Sequence, residues 1–297
     1  MTKDNTLLVT GASGQLGRRV VELLLEAGTH KVIAATRSPD KLADLAERGV
    51  EVRKADFDQA PGDLAEAFAG AQRILLVSTD AVGRPGHRYA QHQRAIDAAG
   101  RAGVSHLVYT SLTHPVRDSP VLIAPDHVQT EEALEVSGLG YTALRNNLYA
   151  DILLMSLPGA IASGSLFAAA EDGGAAYVTR EDCARAAAAT LASDFDGKRQ
   201  IEITGPDVVT YGELASIASE LTGKEVAYIP VDEESLVAGM TAHGLPEPLA
   251  RLMASFDTGI KRGLFGPATG AVEELTGRPP TSVRAFLEAN KAALSPA

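Results

Sequence analysis

Thr10-Gly11-Ala12-Ser13-Gly14-Gln15-Leu16-Gly17 decides how this chain is read. The apolar run Leu7-Leu8-Val9-Thr10 leads into it. The stretch that follows, Gln15–Ala27, puts Leu16, Val20, Leu23, Leu24 and Ala27 on one face of a helix. Three glycines at such a strand-to-helix junction have separate uses. Gly11 makes the tight turn off the strand, Gly14 lets backbone approach a diphosphate with no Cβ between them, and Gly17 lets the helix sit close to the strand. The helix N-terminus then offers N–H groups and a partial positive charge to phosphate oxygens. A glycine turn without a ligand leaves this triple spacing unexplained. Gly11, Ala12, Ser13, Gly14, Gln15 and Leu16 are therefore the expected diphosphate cradle.

The pattern continues outward from the loop. Strands are expected at 31–36, 50–54, 73–77, 105–110 and 141–144, with helices at 39–48, 64–68, 88–102 and 126–136 between them. Short apolar runs separated by amphipathic helices predict a parallel sheet covered on both faces. The fold class is thus α/β, a doubly wound parallel sheet of the Rossmann type, with a smaller C-terminal α/β lobe. The lobe carries a helix over 181–191, a strand over 200–204, a helix over 211–222 and a strand over 225–229, and is mostly helical from Glu233 onward. Two domains are expected, 1–150 for a dinucleotide and 151–297 for a substrate. No linker or repeat separates them, so they are expected to interleave.

Bulk composition narrows the partners. The chain has 297 residues, 45% hydrophobic and 22% charged, with a formal net charge of −11. That acidity argues against nucleic acid, which needs clustered Lys and Arg. No run approaches the roughly 20 apolar residues of a membrane span. Met1-Thr2-Lys3-Asp4 leads into the first strand without a signal peptide, and a cytoplasmic protein is expected. Cys183 is the one cysteine and reads as a helix packing residue. The histidines are scattered without paired metal-ligand spacing, so no metal is expected. Ser111 lies in Thr-Ser-Leu rather than in a nucleophile elbow, which argues against hydrolase chemistry.

Cofactor choice is written after the second strand. An acid about 20 residues past the glycines usually holds the ribose hydroxyls of NAD. Here Arg37 stands 20 residues after Gly17. A guanidinium suits a 2′-phosphate, so NADPH is the expected cofactor. NADH stays open if Asp40 faces the ribose instead. Asp56, just past the third strand, is placed either to reach an adenine edge or to cap a helix.

Four segments carry a family resemblance: 10–17, Ala35-Thr36-Arg37-Ser38-Pro39-Asp40-Lys41, Tyr109-Thr110-Ser111-Leu112, and Tyr141-Thr142-Ala143-Leu144-Arg145-Asn146. Through them the chain resembles the NmrA-like branch of atypical short-chain dehydrogenase/reductases, and within it the type 2 NAD(P)H:quinone oxidoreductases. The resemblance implies direct hydride transfer from NADPH to a quinone, without flavin or metal. It implies that Gly11–Leu16, Arg37, Ser78, Thr79 and 146–151 border cofactor or substrate, with Asn146 on the cofactor side. Asn147 stands where the family pattern has glycine, and Ile152 where it has asparagine.

One absence shapes the chemistry. None of the seven tyrosines has a lysine four residues later, so the Tyr-x-x-x-Lys pair of ordinary short-chain reductases is missing. Aligned to that pair, the chain has Ile123 and His127, with Ser111 retained. Alcohol dehydrogenation is therefore not expected, whereas a quinone tolerates the loss because its oxygens take protons from water or a nearby hydroxyl. Tyr149, Ser111 and His127 are the candidate donors, and Asn147 and Tyr149 the expected acceptor wall. The rival reading is an NAD(P)-binding redox sensor of the NmrA type without turnover, which the lost pair favours. The polar residues after the sixth strand favour the enzyme. A third reading is a reductase of another activated double bond. A homodimer stays open.

Overall fold

A computed structural model describes residues 5–294. The leader-free reading of Met1-Thr2-Lys3-Asp4 lies outside the described residues. The chain divides into two compact units. Unit 1 is the chain up to Leu112 with Asp126–Arg145 and Cys183–Ile201, and unit 2 is Thr113–Pro125, Asn146–Asp182 and the chain from Glu202. The crossing at Arg145/Asn146 lies near the expected boundary at 150. Four further crossings make the two units interleave.

Unit 1 is built on strand–helix alternation. β1 (Thr6–Val9), α1 (Gln15–Ala27), β2 (Lys31–Thr36), α2 (Ala43–Glu47) and β3 (Glu51–Lys54) form its first half. α3 (Pro61–Phe68), β4 (Arg73–Leu76), α4 (His87–Arg101), β5 (His106–Leu112), α5 (Ala124–Val136) and β6 (Gly140–Asn146) continue it. The expected helix over 39–48 is broken. A 3₁₀ turn at Pro39–Leu42 precedes α2, because the proline ring favours a helix start and donates no N–H. The sheet has seven strands in the order β3-β2-β1-β4-β5-β6-β9, where β9 is Lys198–Ile203, the last strand of the sheet in chain order. The β3/β2, β2/β1, β1/β4 and β4/β5 pairings are parallel. The strand order reverses between β1 and β4. In open parallel sheets a crevice forms at the carboxyl ends of strands beside such a switch point.

Both faces of β1 are fully buried, which is why it reads as a continuous apolar run rather than an alternating one. One face carries the core cluster that includes Leu8, Ile33, Leu64, Phe68, Ile74 and Tyr109. Each such side chain withdrawn from water contributes about 1.5–3 kcal/mol. On α1, Leu16, Val20 and Leu24 of the expected stripe are buried, whereas Leu23 is half-buried, Ala27 is exposed, and Val21, outside the stripe, is buried.

Residues 183–201 belong to this same unit. They enter through α7, Arg180–Ala192, and β9. Arg73, in β4 and 4% exposed, staples them down. Its Nε, Nη1 and Nη2 donate to the carbonyls of Leu191, Phe195 and Thr190 at 2.8, 2.8 and 3.2 Å. A guanidinium placed there satisfies carbonyls at the end of α7 that have no partner within the helix.

Unit 2 has two small sheets. β7 (Ser165–Ala168) pairs in parallel with β11 (Ala227–Pro230), and β8 (Gly174–Ala175) pairs antiparallel with β10 (Val209–Thr210). Two of its helices, α9 (Glu233–Ala242) and α10 (Glu247–Lys261), enclose a core of Val237, Ala250 and Ala254. Among the described residues, no helix is long and apolar enough to cross a membrane.

Candidate active site

The glycine loop takes the shape that its residues allow. Gly11 has φ +60, where only glycine is unstrained. The Ala12 N–H donates to Ala35 O at 3.1 Å and ties the loop to β2, and the Gly14 N–H donates to Gly11 O at 2.9 Å. A Cβ on Gly17 would lie 2.5 Å from Gly11 O, so a side chain there would push α1 off the loop. Gly14 is the N-cap of α1, and no side chain caps the helix. The first-turn N–H groups of α1 are thus left to an outside acceptor.

Beside this loop, unit 1 contains a cavity of about 270 Å³. Gly11, Ser13 and Gly14 line one side. Arg37 comes from the end of β2, Asp56 from the end of β3, and Ser78 and Thr79 from the end of β4. Four loops widely spaced in sequence thereby meet at the switch point. Ala12, Gln15 and Leu16 belong to the loop but not to the cavity wall. Ala12 and Leu16 are buried, and Gln15 is exposed. Asp56 lines the cavity and caps no helix: its Oδ1 accepts the Asp58 N–H at 3.0 Å in the turn before α3, whose N-cap is Ala60 with no side-chain bond. Sequence reading missed Thr36, Asp80 and Gln91 on the wall. Thr36 could have been found, because it precedes Arg37 on β2, and its hydroxyl lies 2.7 Å from that of Ser13.

Two expected donors sit inside the protein and not on this wall. Ser111 is 5% exposed and donates to Glu131 Oε1 at 2.6 Å. Arg145 holds the same carboxylate at 2.6 Å. His127 is 3% exposed, with Nε2 3.1 Å from Arg88 Nη2 and Nδ1 2.9 Å from Tyr109 Oη. A guanidinium only donates, so Nε2 accepts and the single ring proton sits on Nδ1, directed at Tyr109. Burial, and then the Arg88 charge, push His127 well below the ordinary histidine range. Both side chains thus meet protein partners and neither lines this cavity.

In unit 2, Asn146 donates from Nδ2 to Tyr149 Oη at 3.1 Å. Its Oδ1 is buried and meets no protein donor. The Arg180 guanidinium stands 5.4 Å from the Tyr149 ring centroid and pairs with Asp151 at 2.8 Å. Asn147, 3% exposed, spends its amide on the backbone. Its Nδ2 donates to Phe265 O at 2.9 Å, and its Oδ1 accepts the Leu148 N–H at 2.8 Å. Its place is that of a brace. Cys183 is buried, as a packing residue would be.

The family described as NAD(P)H-binding matches residues 11–194, from the glycine loop through α7. The chain belongs to the NAD(P)H-binding family. As a member, it is 36% identical over 279 residues to quinone oxidoreductase 2 of Escherichia coli K12, covering 93% of this chain and 96% of that protein. Its fold superposes on the NADPH-dependent quinone oxidoreductase of Escherichia coli complexed with NADPH, with a TM-score of 0.91 and 35% identity over 96% of this chain and 99% of that one. It also matches the Citrobacter triphenylmethane reductase complexed with NADP(H), with a TM-score of 0.88 and 33% identity over 95% and 99%. The NmrA-like resemblance thus extends along nearly the whole NAD(P)H-binding chain.

Proposed function

We propose that the chain is an NADPH-dependent reductase acting on a quinone or a similarly electron-poor acceptor. One observation carries the reading: a single cavity gathers the glycine loop, an uncapped helix N-terminus and Arg37. The residues fit the cofactor. A Cβ-free Gly14 faces the space where a diphosphate would lie, and the buried Thr79 hydroxyl beside the cavity lacks a protein partner. The α1 N–H groups hold the diphosphate, Arg37 the 2′-phosphate, Asp56 the adenine side, and Ser78 and Thr79 the ribose–nicotinamide end. Bound NADPH supplies a hydride.

The chain's own residues do the rest by orientation. Asn146 ends β6 and Tyr149 lies three residues beyond it, at the carboxyl end of the strand, where ligands of open parallel sheets gather. Tyr149 offers a ring for stacking and a phenol for protonating the reduced oxygen, with Asn146 fixing its Oη. Asn147 braces that wall through Phe265. Ser111 and His127 lie inside unit 1, Ser111 bonded to Glu131 and His127 to Tyr109. Holding donor and acceptor together lowers the barrier without a strong acid, which suits an acceptor that already takes electrons readily.

The test is NADPH oxidation by the purified protein, followed at 340 nm, with and without a panel of small quinones. Quinone-dependent oxidation is the expected result. A protein that binds NADPH yet turns over no member of the panel is a sensor and not this enzyme.

A further inference from the structure

Three consecutive amides leave β4 with side-chain partners in place of a strand ladder. The Val77 N–H donates to Thr10 Oγ1 at 3.0 Å, the Ser78 N–H to Thr110 Oγ1 at 2.8 Å, and the Thr79 N–H to His92 Nε2 at 3.0 Å. The carbonyl of Thr79 accepts from Arg88 Nε at 2.7 Å. Arg88 and His92 lie four residues apart on α4 and so project from one face of it. Both peptide groups of Thr79 are therefore held by two side chains of a single helix, behind the segment that lines the cavity.

The chemistry of this clamp is directional. A backbone amide only donates, so His92 Nε2 must accept, and the neutral ring carries its proton on Nδ1. That Nδ1–H meets Thr130 Oγ1 at 2.9 Å, and the Thr130 hydroxyl passes its own hydrogen to Asp126 O at 2.6 Å. An imidazolium would set N–H against N–H at Thr79. Burial, and then the Arg88 charge, hold His92 down to about 3, so the accepting form persists at neutral pH. His92 is fully buried and Arg88 nearly so, and neither lines the cavity.

We propose that His92 and Arg88 are positioning residues for cofactor binding, fixing Ser78 and Thr79 on the cavity wall, with His92 acting through its Nδ1–H tautomer. The proposal rests on the reading of this cavity as the NADPH site. Neither residue touches the cofactor. They act through the peptide groups of Thr79.

The experiment compares wild type, His92→Gln and His92→Leu. Glutamine places an amide oxygen near the position of Nε2, whereas leucine fills the space and accepts nothing. Two quantities are read: NADPH affinity by nicotinamide fluorescence, and amide hydrogen exchange of Val77, Ser78 and Thr79 without cofactor. His92→Leu is expected to speed Thr79 exchange and weaken NADPH, each by about tenfold. His92→Gln is expected within about threefold of wild type in both. Wild-type behaviour of the leucine variant, or equal damage in both variants, overturns the proposal. If the leucine variant does not fold, Thr130→Val removes the acceptor of Nδ1–H and should weaken NADPH severalfold, and an unchanged affinity there overturns the tautomer assignment. A wild type that fails to bind NADPH overturns the cofactor reading itself, and the exchange contrast still reads the clamp separately.

Discussion

Arg37 Nη2 lies 3.5 Å from Asp80 Oδ1, so the cation expected to meet a 2′-phosphate has a carboxylate of its own chain as partner. Both side chains are largely exposed, and such a pair is weak. A phosphate dianion should displace Asp80. Arg37→Ala is expected to weaken NADPH at least about tenfold while changing NADH little. Asp80→Asn should tighten NADPH by roughly two- to fivefold and leave NADH alone. Binding titrations with both cofactors decide it, and equal losses for NADPH and NADH in Arg37→Ala would take Arg37 away from the phosphate.

The glycines of the loop should fail in different ways. A Cβ on Gly17 meets the backbone oxygen of Gly11 at 2.5 Å, so Gly17→Ala should lower both stability and NADPH affinity. A Cβ on Gly14 meets only Gly11 O, at 3.3 Å. Gly14→Val should therefore keep the circular dichroism spectrum and abolish binding by filling the diphosphate space. A Gly14→Val protein that binds NADPH normally would move the site elsewhere.

Tyr149→Ala should separate acceptor from cofactor. Loss of the ring is expected to slow quinone-dependent NADPH oxidation about tenfold, roughly 1.4 kcal/mol in barrier, with little change in NADPH affinity. A Tyr149→Ala enzyme as fast as wild type places the acceptor on another surface.

Three buried histidines set an acid limit. Burial holds His92 and His106 to about 3, helped at His92 by Arg88 and at His106 by Arg73 and Arg199. His127 is also pushed well below its ordinary value by burial. In the unfolded chain these rings titrate near 6.5. Their folded values are depressed, so the stabilisation they carry is present above about pH 6.5 and is lost as pH falls from there towards 3. Each contributes a slope of up to about 1.4 kcal/mol per pH unit in that range. Urea unfolding between pH 7 and 5.5 should show falling stability, and His92→Gln should make the fall shallower. A His92→Gln slope equal to that of wild type would mean that His92 takes up no proton on unfolding.

What could be read in advance follows from how local each feature is. That the glycine loop and Arg37 would meet at one crevice was legible because a strand–helix alternation delivers strand ends to one edge in a known order, while Ser78 and Thr79, which line the same cavity, were expected from the family resemblance. The surroundings of Ser111 and His127 were not legible. Alternate residues of a strand face opposite ways, so Thr110 turns to the Ser78 amide while Ser111 turns to Glu131 on α5. Chain order carries no sign of which of the two faces the crevice. Asp80 escaped notice because its pairing with Arg37 joins the ends of non-neighbouring strands. The β7/β11 and β8/β10 pairs were missed as pairs because short, half-exposed strands lack a clear period.

The Arg73 staple bears on how the protein can be cut. A gene fragment ending at residue 150 looks like a minimal nucleotide-binding module, since it keeps the loop, the cavity and six of the seven strands. It would nonetheless strip the guanidinium of all three of its carbonyl acceptors and leave β6 as a bare edge. Such a fragment should be recovered as insoluble material. A permuted chain that keeps residues 183–201 beside β4, with new ends opened at an exposed turn, is the shorter route to a cofactor-binding protein of reduced size.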